Sequence, residues 1–161
     1  MCQKFGIAEL NPLQEEAIAS FVINKGDVFV NLPTGFGKSL IYQAIPLSFG
    51  MLFEAPGHIV AVVSPLVNLM KDQVEKLTSL GIPAATHNEI DEEKAIGVEK
   101  DVFSIAYGSP EAGLKPNAGK RVLSSDVYSQ KLCAIAVDEA HVIKPCTLWQ
   151  VFDSQACLGT E

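Results

Sequence analysis

The segment Leu32-Pro33-Thr34-Gly35-Phe36-Gly37-Lys38-Ser39 gathers two glycines, an ammonium and a hydroxyl in one short loop. Glycines let successive backbone N–H groups point inward at phosphate oxygens. Lys38 can reach the β- and γ-phosphates, and the Ser39 hydroxyl can ligate Mg²⁺. The apolar run Val28 to Leu32 enters the loop and an amphipathic stretch leaves it, which predicts a strand, the loop and then a helix. A helix N-terminus there adds a favourable dipole for negative charge. The chemistry is that of a nucleoside triphosphate site, with contacts from Pro33 through Leu40. The common pattern G-x-x-x-x-G-K-[ST] asks for glycine at position 32, where this chain has Leu32.

A second group carries complementary chemistry. Asp138-Glu139-Ala140-His141 follows Leu132-Cys133-Ala134-Ile135-Ala136-Val137, an unbroken apolar run with the pattern of a strand buried on both faces. A carboxylate at the end of such a strand stands where ligands bind in open α/β sheets. Asp138 is expected to hold Mg²⁺, directly or through water. Glu139 is expected to orient or deprotonate an attacking water.

These groups need a scaffold, and the remaining pattern supplies one. Asn11-Pro12 starts a helix with a capping side chain and a proline in the first turn. Ala17, Ile18, Phe21 and Val22 recur at helical spacing after it. The helix beyond the loop carries Leu40, Ile41, Ala44 and Ile45 and is expected to end near Pro46. Ile59 to Val63 reads as a buried strand, and Pro65 opens a helix through Leu66, Leu69, Met70, Val74 and Leu77. Short strands are expected at 81–85 and 102–107, two helical turns within 88–100, a loop at 111–119 and a helix within 121–132. Strands alternating with helices imply βαβ units and a mainly parallel sheet.

The chain has 161 residues, 48% hydrophobic and 19% charged, which suits one globular domain. A net charge of −7 means that nucleic-acid binding must come from local groups, backbone amides and helix N-termini. The cysteines at 2, 133, 146 and 157 form no C-x-x-C pair, and the histidines at 58, 87 and 141 do not cluster with them, which argues against zinc. Free thiols fit an intracellular location. The N-terminus lacks an apolar signal region, and no apolar run is long enough to suggest a membrane span.

Taken in order, the motifs resemble the first RecA-like lobe of superfamily 2 helicases, most closely the RecQ family of DNA helicases. Phe5-Gly6 with Pro12-Leu13-Gln14-Glu15-Glu16-Ala17-Ile18 resembles that family's N-terminal nucleotide motif. Lys38 to Gln43 resembles its phosphate-loop helix. Ser64-Pro65-Leu66-Val67-Asn68-Leu69-Met70-Lys71-Asp72-Gln73-Val74 resembles its next motif, Ser109-Pro110-Glu111 the one after, and Asp138 to His141 its DEAH box. The similarity runs over residues 5–144, and residues 145–161 stand apart as a divergent tail without assignment.

The resemblance implies a three-layer α/β P-loop fold of the RecA type, with ATP and Mg²⁺ as cofactors. It implies that Gln14 reads the adenine edge, that Ser64, Pro65, Asn68, Lys71 and Ser109 contact DNA phosphates, and that His141 couples the ATP site to the DNA side. The implied activity is ATP-driven 3′-to-5′ DNA unwinding in repair and recombination, in the nucleus if the source is eukaryotic. Asn11 stands where the family usually has a basic residue, and Cys146 where it has a tryptophan. The second lobe and its arginine fingers lie outside these residues. The expectation is therefore an incomplete N-terminal lobe that binds nucleotide and turns it over slowly. The alternatives are a nucleotide- and nucleic-acid-binding module without turnover, or another P-loop NTPase.

Overall fold

A computed structural model of the chain describes residues 1–24, 26–55, 57–86, 103–110 and 130–140. Its centre is a four-stranded sheet of β1 (Ile59–Val63), β2 (Ala84–Thr86), β3 (Ile105–Gly108) and β4 (Leu132–Val137). The spatial order is β2-β3-β1-β4, and every pairing is parallel. The expected α/β architecture of the RecA type with a parallel sheet is present. In the central strand, Ile59, Val60 and Val62 are all almost fully buried. Burial on both faces accounts for the unbroken apolar run in its sequence.

Among the described residues three α-helices accompany this sheet: α1 (Pro12–Asn24), α2 (Lys38–Leu52) and α3 (Val67–Ser79). A short 3₁₀ turn, Cys2–Phe5, precedes them. α1 buries Gln14, Ala17, Ile18 and Val22, a stripe at helical spacing. α2 is buried from Ile41 through Pro46 without a break, because it lies between two layers. Ile41 and Ala44 face the α1 cluster, whereas Tyr42 and Ile45 join the sheet cluster. Each pair is three residues apart and so shares a side of the helix. α3 sends Met70 and Leu77 into the same sheet cluster and leaves Asn68 and Lys71 exposed.

Three expectations are corrected. α2 does not end near Pro46 but continues to Leu52. A proline inside a helix loses one backbone bond and costs about 3 kcal/mol. Here Pro46 is buried, and Leu47 and Phe49 beyond it pack against the sheet cluster, so tertiary burial outweighs the propensity. The second correction concerns Val28–Leu32, which joins no sheet ladder among the described residues. Its side chains do alternate: Val28, Val30 and Leu32 pack on the α1–α2 cluster, while Phe29 is 87% exposed. The periodicity is that of a strand, but the described sheet ends at β4. The strand near 102–107 is also shifted, to Ile105–Gly108. The expected turns at 88–100, the loop at 111–119 and most of the helix before β4 lie outside the described residues, as do His141 and the tail 145–161.

Candidate nucleotide and nucleic-acid site

Parallel strands deliver their C-terminal ends to one edge, and this alone brings the distant motifs together. Val63 is in register with Gly108 on one side and Val137 on the other. The residues that follow are therefore neighbours: Ser64, Ser109 and Asp138. The Ser64 amide donates to the Gly108 carbonyl at 3.0 Å, and the Asp138 amide donates to the Val63 carbonyl at 2.9 Å.

The phosphate loop sits beside this edge. Gly35 and Gly37 have φ of 88° and 75°, a region that favours glycine. The Phe36 amide closes a turn on the Pro33 carbonyl at 3.3 Å, and Gly37 caps the N-terminus of α2. The Lys38 ammonium folds back across the loop and donates to the Leu32 carbonyl at 2.8 Å. A cavity of about 420 Å³ opens here, lined by Thr34, Gly35, Gly37, Lys38, Ser39 and Leu40 from the loop and by Asp138 and Glu139 from the end of β4. α3 closes its far side with Gln73 and Lys76.

Asp138 is 8% exposed, and each of its carboxylate oxygens accepts one bond. The Tyr42 hydroxyl donates to Oδ2 at 3.2 Å, and the Glu139 amide donates to Oδ1 at 3.1 Å. Burial pushes the Asp138 carboxyl above its ordinary value, the Tyr42 bond pulls it back and the Glu139 charge adds to the rise. Glu139 has φ of 52°, a left-handed conformation in a residue other than glycine. Such backbone costs of order 1–3 kcal/mol and persists where the surroundings enforce it.

The donor set suits Mg²⁺ carried in with phosphates. Ser39 and Asp138 line one cavity, while no group of three or more His, Cys, Asp or Glu side chains gathers among the described residues. Mg²⁺ takes one or two protein carboxylates and completes its octahedron with water and phosphate oxygens.

Gln14 is not an exposed helical glutamine: it is 6% exposed and fully engaged. Its Oε1 accepts from the Asn11 amide at 3.1 Å, and Asn11 Oδ1 accepts from the Gln14 amide at 2.9 Å. This reciprocal pair is a capping box at the start of α1. Its Nε2 donates to the carbonyls of Phe36 and Gly37 at 3.1 and 3.2 Å. A shallow second recess, lined by Ile7, Glu9, Asn11, Gln14, Phe36 and Leu40, adjoins the loop on this side.

The expected nucleic-acid residues divide. Asn68 and Lys71 are exposed on the first turns of α3, beside exposed Leu66 and Val67, and Pro65 and Ser109 are half-buried. Ser64 is 1% exposed, and its hydroxyl has no partner, so in this conformation it does not face the surface that Asn68 and Lys71 share. Pattern reading attached no role to Tyr42, Gln43, Tyr107 or Gln73. The available signal was Gln43, a polar residue inside the apolar run of α2 that is only 5% exposed. No described helix is long and apolar enough to cross a membrane.

A sequence profile of the DEAD/DEAH box helicase matches residues 11–147. The chain is 37% identical over 151 residues to the RecQ-like DNA helicase BLM of Xenopus laevis, covering 88% of this chain and 10% of that protein. It is 38% identical over 144 residues to the ATP-dependent DNA helicase RecQ of Haemophilus influenzae, covering 86% and 21% respectively. Against the ATP-dependent helicase SGS1 of Saccharomyces cerevisiae the identity is 34% over 145 residues, covering 86% and 10%. The chain thus spans between a tenth and about a fifth of the length of these relatives.

Proposed function

This chain belongs to the DEAD/DEAH box helicases of the RecQ family, and from that membership we propose that it is the nucleotide-binding lobe of an ATP-dependent 3′-to-5′ DNA helicase. One observation carries the reading. Lys38 and Ser39 from the loop and Asp138 and Glu139 from the end of β4 converge on one cavity at the C-terminal edge of a parallel sheet.

In this reading the loop amides and Lys38 hold the phosphates. For that, the Lys38 ammonium exchanges the Leu32 carbonyl for a β/γ-phosphate oxygen. Ser39 and Asp138 hold Mg²⁺, which supplies charge neutralisation at the phosphates when bound. Glu139 accepts a hydrogen bond from the attacking water and takes its proton. The adenine lies in the second recess against Ile7 and Phe36. Gln14 reads it by keeping one Nε2 hydrogen on a loop carbonyl and turning the other to N7, while Oε1, which accepts from the Asn11 amide, accepts from N6–H on its second lone pair.

The nucleic acid is DNA, as it is for the DNA helicases BLM and RecQ that the chain resembles. Its phosphates meet the N-terminus of α3, where Asn68 and Lys71 are exposed and no side chain caps the first-turn amides. Ser109 and Pro65 flank that surface. Ser64 follows β1 immediately before that surface, and His141 stands one residue beyond the acidic pair, separated from it by Ala140. An intracellular location, in the nucleus if the source is eukaryotic, accords with such a role.

Steady-state phosphate release tests the proposal, measured without nucleic acid, with single-stranded DNA and with single-stranded RNA. Hydrolysis that DNA stimulates and Glu139→Gln removes is the expected result. Hydrolysis indifferent to DNA would favour another P-loop NTPase, and nucleotide binding without any turnover would favour a binding module.

A further inference from the structure

Resting on the nucleotide reading above, we propose that Tyr42 is a positioning residue for Asp138, fixing the carboxylate that holds Mg²⁺. Tyr42 and Asp138 are 96 residues apart in the chain, yet the hydroxyl donates to Oδ2 in a buried bond. With the Glu139 amide on Oδ1, the carboxylate is held by one donor at each oxygen, which sets the rotation of its plane. Each oxygen keeps a further lone pair for a metal or its water. A carboxylate whose orientation is set beforehand loses less rotamer freedom when the ion arrives.

The tyrosine is itself braced. Its ring packs edge-on against Tyr107 at 6.4 Å and 74°, and Tyr107 is 1% exposed. The Tyr107 hydroxyl accepts from Gln43 Nε2 at 3.0 Å, and the same nitrogen donates to Gln73 Oε1 on α3 at 2.8 Å. The support therefore runs from α2 through β3 to α3 and is built on regular elements. Ser39 and Tyr42 are three residues apart on α2, so the proposed metal hydroxyl and the brace for the metal carboxylate share one side of one helix.

Tyr42→Phe removes a single hydroxyl and keeps the ring packing. The test is binding of a fluorescent mant-ADP, titrated with Mg²⁺ and repeated in EDTA, with thermal unfolding to confirm the fold of each variant. The Mg²⁺ concentration at half-saturation is expected to rise about three- to tenfold in Tyr42→Phe, while affinity in EDTA stays within twofold. In an Asp138→Asn background, Tyr42→Phe is expected to add no further shift, since its effect passes through that carboxylate. Should Tyr42→Phe fail to fold, Gln43→Leu and Tyr107→Phe loosen the brace instead and are expected to raise the midpoint by a smaller factor. An unchanged Mg²⁺ midpoint in a folded variant overturns the positioning role alone. So does an equal loss with and without Mg²⁺. Absence of any Mg²⁺-dependent binding by the unmodified chain overturns this role and the nucleotide reading together.

Discussion

Gln14→Ala removes a side chain that makes three hydrogen bonds in two directions. One closes the capping box on the Asn11 amide, and two tie α1 to the Phe36 and Gly37 carbonyls of the phosphate loop. A net intramolecular bond contributes about 1 kcal/mol, so the substitution is expected to cost about 3 kcal/mol of stability, of which about 2 kcal/mol belongs to the loop contacts. The Asn11 carboxamide still accepts from the residue-14 amide, so the helix start survives. Urea unfolding reads the loss as a lower midpoint at constant slope. Because the two loop bonds preorganise the phosphate cradle, tripolyphosphate should weaken as well as ATP, and ATP should weaken more because the adenine contact goes with it. Two kcal/mol corresponds to roughly a 30-fold change in affinity, an upper bound on the loop contribution. Gln14→Glu separates the parts: it keeps the acceptor for Asn11 but turns a carboxylate on two carbonyls, and should weaken tripolyphosphate at least as much. The reasoning fails if stability moves by less than about 0.5 kcal/mol, within the range of an ordinary surface substitution. It fails equally if ATP weakens while tripolyphosphate does not, since Gln14 would then act on the base alone.

Gly37→Ala should impair nucleotide binding more than Gly35→Ala. Both bear a left-handed backbone cost of about 1–2 kcal/mol, but a Cβ at Gly37 would stand 2.5 Å from Gln14 Nε2 whereas one at Gly35 meets nothing; calorimetry of both, alone and with Gln14→Ala, should show the excess vanish in the double variant. Asp138 gives a pH signature in thermal unfolding without Mg²⁺. Its carboxyl is raised by burial, so its contribution to stability is full below the ordinary carboxylate range and is lost as pH rises through the raised value. Asp138→Asn should therefore melt higher than the unmodified chain at pH 8, with the gap closing towards pH 4. Asn68→Ala and Lys71→Ala should lower affinity for a single-stranded oligonucleotide in fluorescence anisotropy, and the Lys71 loss should shrink as salt rises.

The candidate site was more legible in the sequence than the elements that support it. Lys38-Ser39 and Asp138-Glu139 were legible because their chemistry needs neighbouring residues of particular types, and a parallel sheet then places both at one edge. The sheet order was not legible, because strand pairing depends on contacts between runs of similar apolar composition. Val28–Leu32 shows the limit: alternation identifies an extended run but not whether a partner strand stands beside it. Pro46 misled in the opposite sense, since its local cost was visible and the burial of Leu47 and Phe49 was not. The resemblance implies one task for Gln14, adenine recognition, and only the approach of α1 to the loop reveals its bonds to the Phe36 and Gly37 carbonyls. Tyr42 lies inside the phosphate-loop motif, and its role is hidden from local pattern because its partner, Asp138, comes from the far end of the described chain.

Isothermal calorimetry of Mg²⁺·ATP with the unmodified chain and with Lys38→Ala tests the central claim most directly. Lys38 spans the loop to the Leu32 carbonyl and is the ammonium placed to meet the β- and γ-phosphates. Saturable binding at one site by the unmodified chain, abolished by Lys38→Ala while its unfolding midpoint is retained, is the predicted result. Binding that survives Lys38→Ala, or no binding by a folded unmodified chain, would contradict the account.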